Sequence, residues 1–256
     1  MNERFRGLAR VARRFSVCCR PLASVREESV SDYRCRELFP AASVVKAAIM
    51  SCLLNGVEQG RFSLRDQVEV SAQDMVGGAG ILLELSPRAY SVRELCTLMM
   101  VVSDNTASNA CLRLVGMDRF NAFCEGRGYE ARLRRFFMSP VVDGNDNTMT
   151  AEAAALILAD LYAGQELSEA SREFAVGVLR RQQYREKIPL MLPHDVLVGH
   201  KTGELDGVRH DAAVVEIEEP YVLVVLTAEG GRPWEVDHAI AEHSLSVFEQ
   251  KARVMS

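Results

Sequence analysis

Between Pro40 and Gly56 the chain reads PAASVVKAAIMSCLLNG, apolar on every side and with Lys46 as its single charged residue. A run of that length, opened by proline and closed by Asn55-Gly56, predicts a helix over 40–56. A helix apolar all round belongs inside a domain. Further on, Ser91-Val-Arg-Glu94 has capping-box spacing ahead of an apolar run to Val102. Helical periodicity then covers 105–115, 118–125, 151–162 and 168–185. Strand patterning appears at both ends: 14–22 and 30–38 near the start, and 196–203, 211–217 and 221–227 near the finish, with Asp206-Gly207 as a hairpin signal and Glu219-Pro220 as the next break. An amphipathic helix from Pro233 to about Val254 ends the chain. Strands at both ends with helices between predict an α/β (α+β) fold. It would have one antiparallel five-stranded sheet flanked by helices, plus an inserted all-helical domain. The expected division is 1–42 and 186–256 for the sheet domain and 43–185 for the helical domain, with a pocket where they meet.

The 256 residues are enough for a substantial core, and 48% hydrophobic with 25% charged is an ordinary globular composition. A net charge of −5 gives no footing for general nucleic-acid binding, despite the basic first twenty residues. No apolar run approaches a transmembrane segment, and no secretory signal is legible at the start, so the sequence predicts a cytoplasmic protein unless a leader has been removed. Seven cysteines without a CxxC pair read as reduced thiols. Five histidines without HExxH or a Cys/His cluster predict neither a metal site nor a cofactor.

Lys46 is the chemical anomaly. A buried ammonium must find partners or give up its proton. Ser43 lies three residues earlier, on the same helical face, where free backbone N–H groups favour developing negative charge. A hydroxyl beside a base is how a nucleophile is activated, although a lysine at the rim of a core helix has the same spacing. Two further tripeptides bear on the choice: Ser103-Asp104-Asn105 after the capped helix, and Lys201-Thr202-Gly203 on the first C-terminal strand.

Together, SxxK, SDN and KTG resemble the signature of class A β-lactamases and penicillin-binding serine acyl-transferases. FPAASVVKAAI, LMMVVSDNTASN and HKTGELDGVRHDAAVVE all look like stretches of that family, so the resemblance runs over nearly the whole chain. It implies a β-lactam or related small acyl substrate and an acyl-enzyme on Ser43. Lys46, or a water it orients, would take the proton and Ser103 would relay one to the leaving nitrogen. The resemblance also implies that Asn105 binds Lys46 and the substrate amide, that Lys201 and Thr202 hold the substrate carboxylate, and that Gly203 lets the strand approach. The backbone N–H groups of Ser43 and Glu204 would form the oxyanion hole, and Arg209 would be a second carboxylate contact.

One departure stands out. The family's Glu-x-x-Leu-Asn loop, whose glutamate activates the deacylating water, is absent from LRRFFMSPVVDGNDNTMTAEAA (133–154), and the loop looks shortened. Asp143 and Asp146 are the nearest acids. Three readings follow: a β-lactamase-like hydrolase with another deacylation route, a D,D-peptidase or esterase using the same acylation machinery, or a covalent penicillin-binding domain that deacylates slowly.

Overall fold

The computed structural model describes residues 3–29, 31–164 and 166–255. In chain order the helices and strands are α1 (Arg6–Val11), β1 (Ala12–Pro21), β2 (Phe39–Pro40), α2 (Lys46–Glu58), β3 (Gln67–Val70), β4 (Arg88–Ser91), α3 (Val92–Val101), α4 (Asn105–Val115) and α5 (Met117–Arg127). They continue as β5 (Ala131–Arg132), β6 (Thr148–Met149), α6 (Ala151–Ala163), α7 (Glu169–Arg180), β7 (Leu197–Leu205), β8 (Val208–Glu216), β9 (Tyr221–Gly230) and α8 (Pro233–Met255).

The main sheet is antiparallel in the order β1-β9-β8-β7, with β1 paired along β9 from Ala12–Gly230 to Pro21–Tyr221. Four strands, not five, form it among the described residues. The strand expected over 30–38 is missing; Val30 itself lies outside the described residues. From there the chain makes only a single ladder bridge to β1, between Val17 and Tyr33, among the described residues. Asp32 bends back to accept hydrogen bonds from Cys19 N at 3.0 Å and Arg20 Nε at 2.8 Å, and Arg34 takes a left-handed φ of 49°, which no extended run tolerates.

Local signals place most other elements. Ser91 and Glu94 form both bonds of the capping box on α3, Thr150 caps α6, and Asp206-Gly207 makes the two-residue turn between β7 and β8 with Gly207 at φ 64°. The long apolar helix differs from expectation at both ends. Residues 42–45 form tight turns, Ala42 at φ 45°, and α2 starts only at Lys46. Gly56 does not end it. A Cβ there would stand 2.5 Å from the Phe62 ring, so the glycine admits that ring.

Two apolar cores flank the sheet. On one face α1 and α8 cover Phe15, Val17, Val198, Val215 and Val225. On the other, residues from α2 to α7 pack with Cys18, Val214, Val224 and Leu226 in one continuous cluster, α6 lying against β8 and β9. All seven cysteines are free and all but Cys35 are buried. Among the described residues no helix is long and apolar enough to cross a membrane, and no three His, Cys, Asp or Glu side chains gather where a metal could bind.

Candidate active site

The turn before α2, the start of α4, the loop at 135–147 and strand β7 enclose a cavity of about 550 Å³. Ser43, half-buried, stands on its wall beside Ser103, Asn105, Thr202, Gly203 and Glu204. Ser43 O accepts from Lys46 N at 3.2 Å, which puts the two residues in one tight turn.

Behind the wall lie two fully buried lysines. Lys46 Nζ reaches Ser103 O at 2.7 Å, Asn105 Oδ1 at 2.8 Å and Ser103 Oγ at 3.1 Å. Lys201 Nζ reaches the same Ser103 Oγ at 3.1 Å and Thr202 O at 2.8 Å. Ser103 therefore bridges the two amines, and holds that place with a left-handed φ of 56°. Burial, reinforced by the charge of Lys201, pushes Lys46 well below the usual lysine range. Burial also lowers Lys201 to about 7, opposed by the carboxylates of Asp211 and Glu204. A neutral Lys46 has two N–H bonds for the oxygens of Ser103 and Asn105, and keeps a lone pair for a hydroxyl proton.

The loop before α4 is fixed by a residue the sequence reading passed over. Asp104, not Ser103 or Asn105, caps α4, accepting from Ala107 N at 2.8 Å. Its other oxygen accepts from Ile81 N at 2.7 Å and Leu82 N at 2.8 Å. That ties the glycine-rich turn at 77–82 to the site, and Asn105 Nδ2 adds a bond to Gly77 O at 2.9 Å. On the opposite wall Gly203 brings β7 against the nucleophile turn: a Cβ there would lie 3.0 Å from Ser43 N. The backbone of β7 thus passes directly beside the turn that carries Ser43.

The shortened loop is held by Asn147, whose Oδ1 accepts from the backbone N–H groups of Arg134 at 2.8 Å and Arg135 at 3.1 Å. Asp146 takes the Arg135 guanidinium at 2.7 Å. Of the two nearest acids, Asp143 is exposed and outside the cavity lining, while Asp146 lines it but is committed to Arg135. What faces Lys46 is Phe137, its ring centroid 4.6 Å from Nζ. Phe137 escaped the sequence reading because an isolated loop phenylalanine carries no motif.

Arg209 is also placed differently from expectation. It leaves the cavity lining and grips Asp237 of α8, with Nε to Oδ1 at 2.8 Å, and Glu204 at 2.8 Å. Glu204 takes a second partner, the fully buried Lys187, at 2.6 Å. These cations hold the Glu204 carboxyl below its usual range against the effect of burial.

A sheet-and-helix fold holding a serine at a helix-start turn, two buried lysines and a shared relay hydroxyl defines the class of serine acyl-transfer hydrolases. The family model for the Beta-lactamase enzyme family matches residues 6–250, and the chain belongs to that family. Beta-lactamase CTX-M-97 of Escherichia coli is 31% identical over 202 residues, covering 76% of this chain and 69% of the relative. Beta-lactamase AST-1 of Nocardia asteroides is 29% identical over 231 residues, 84% of this chain and 72% of the relative. Among solved structures, an ancestral class A beta-lactamase superposes with a TM-score of 0.87 at 28% identity, covering 95% of this chain and 96% of that one. A structure of PBP-A shares the fold with a TM-score of 0.85 at 23% identity, over 98% of this chain and 96% of that one.

Proposed function

We propose that this protein is a serine hydrolase that opens β-lactam amides through an acyl-enzyme on Ser43. The observation that carries this is Ser103 Oγ held 3.1 Å from both Lys46 and Lys201 beside the cavity wall that presents Ser43. Neutral Lys46 takes the Ser43 proton as Oγ attacks the lactam carbonyl. The backbone N–H groups of Ser43 and Glu204 stabilise the oxyanion. As the C–N bond breaks, the proton passes from Lys46 through Ser103 to the departing nitrogen, and Ser103 is resupplied along the same bridge.

Deacylation is the slow half. Both carboxylates of the cavity wall, Asp146 and Glu204, are held in ion pairs, and the general-base help they would otherwise give water is worth about a hundred- to ten-thousand-fold. Lys46 is the base that remains. Mixing enzyme with excess penicillin should give a burst of opened lactam equal to the enzyme concentration, then slow turnover, with an acyl adduct in the intact mass at early times. Ser43→Ala should show neither burst nor adduct. An adduct retained in Ser43→Ala would move the nucleophile elsewhere, and fast turnover without a burst would show that deacylation is well catalysed.

A further inference from the structure

His210 is fully buried and lies outside the cavity lining, yet both of its ring nitrogens are engaged. Thr227 N donates to Nδ1 at 3.0 Å, and Nε2 meets Pro40 O at 2.8 Å. A backbone N–H can only donate and a carbonyl can only accept, so Nδ1 is bare and the proton sits on Nε2. Burial lowers His210 to about 4, against the carbonyls of Pro40 and Arg209, which leaves the ring neutral near neutral pH with that single proton to place. The β8–β9 ladder ends at His210–Leu226, and side chains close the backbone beyond it: Thr227 Oγ1 accepts from Arg209 N at 3.1 Å and donates to Arg209 O at 2.7 Å. The imidazole therefore leaves the sheet from a fixed base.

What it reaches is the chain just ahead of the nucleophile. Pro40 has no N–H, so its carbonyl is the one backbone group it can offer the sheet. Ala42 follows at a left-handed φ of 45°, a conformation an alanine keeps only where its surroundings hold it. The ladder to β6 and the bond from Ala41 N to Asn147 O at 2.8 Å tie this stretch to the loop side. On the sheet side, His210 stands opposite Gly203 in the β7–β8 register, on the face that also carries Lys201. At Gly203 the missing side chain lets Ala42 and Ser43 come in, and at the neighbouring position a long polar one draws Pro40 toward the same strands. We infer that His210 is the positioning residue of the nucleophile turn: its Nε2–H fastens the Pro40 carbonyl to the sheet and so sets how far Ser43 stands from the backbone of β7. This rests on Ser43 being acylated.

A glutamine amide stands near the place of Nε2 and an asparagine amide near that of Nδ1, so two substitutions separate the two bonds. Saturation stopped-flow with a penicillin resolves non-covalent binding from the acylation step. His210→Gln, which can still donate to Pro40 O, should keep most of the wild-type acylation rate. His210→Asn, which keeps a partner for Thr227 N alone, should acylate about a hundredfold more slowly, the size expected for a nucleophile displaced by about 1 Å. Its penicillin binding should be little changed and its circular dichroism spectrum native. In the wild-type protein, long-range nitrogen–proton NMR spectra should place the His210 proton on Nε2. A proton on Nδ1, wild-type acylation in His210→Asn, equal slowing in both variants, or a loss confined to binding overturns the inference and leaves Ser43 as the nucleophile. If His210→Asn does not fold, the tautomer and the rate of His210→Gln still decide. No acylation of folded wild-type protein overturns this inference and the acylation reading together.

Discussion

Lys201 and Lys46 carry the same charge when protonated, yet burial presses both toward the neutral amine, and Ser103 Oγ sits between them. The protonation of Lys201 then has a readable consequence. A substrate carboxylate favours the ammonium form, so binding an acid takes up a proton, and that advantage disappears as pH rises through the value near 7 to which burial lowers Lys201. A neutral ester gains nothing from the ammonium. The ratio of kcat/KM for an acid to that for its ester should fall as pH rises from about 6 to about 9, approaching tenfold per unit on the alkaline side. Stopped-flow acylation across that range provides the measurement, and a flat ratio would separate Lys201 from carboxylate recognition. At this scale the sequence shows the catalytic residue types, because SxxK, SDN and KTG are local. It does not show the commitments of Arg209 or Asp146. Arg209 is claimed by Asp237 on α8, and Asp146 by Arg135 across the loop; both pairings depend on the folded chain.

Among the elements, β7 has the tightest geometric requirement. It is the edge of the sheet, with its free side toward the cavity, and at Gly203 it meets the turn that carries Ser43. Gly203→Ala would put a methyl 3.0 Å from Ser43 N and from the Ala42 Cβ, and 3.1 Å from Val44 Cγ2. Overpacking of this kind costs about 1–3 kcal/mol. The strand or the nucleophile turn must yield, which moves one oxyanion donor from the other. Acylation should slow by about a hundredfold, a size expected for a misplaced donor, while the circular dichroism spectrum stays native and the unfolding free energy from urea titration falls by the overpacking cost. An unchanged acylation rate would mean that the two backbones do not share the substrate oxygen. Elements with their own punctuation, such as the Ser91–Glu94 box, the Asp206-Gly207 turn and the β9 run, are readable without the fold. The 30–38 segment shows why others are not. Its alternation suits a strand, but Asp32 gains more from Arg20 and Cys19 than from a ladder, and the chain leaves the sheet. The turn at 77–82 gives no periodic signal at all, since it is fastened from Asp104 more than twenty residues ahead.

Across the molecule, the first strand and the last pair with each other, and α1 packs on α8, so the sheet is complete only when the two ends of the chain have met. Contacts that distant in sequence make assembly slow relative to a helical protein of this size. They also bind the helices to the sheet, because the inner core that holds Cys18 of β1 also holds Cys52, Cys96, Cys111 and Cys124 from α2, α3, α4 and α5. Those thiols form a set of built-in reporters. Burial raises Cys52 to about 11 and Cys111 and Cys124 to about 12, and pushes Cys18 and Cys96 up as well, so the closed protein offers an alkylating reagent almost no thiolate at these positions. Alkylation must then wait for the protein to open, and peptide mapping over time assigns an opening rate to each cysteine. One shared core requires Cys18 and Cys111 to be modified in step, whereas earlier loss of Cys18 would mean that β1 peels from β9 while the helices stay packed. Each free thiol thus serves as a clock on its own element, with no label added to the chain.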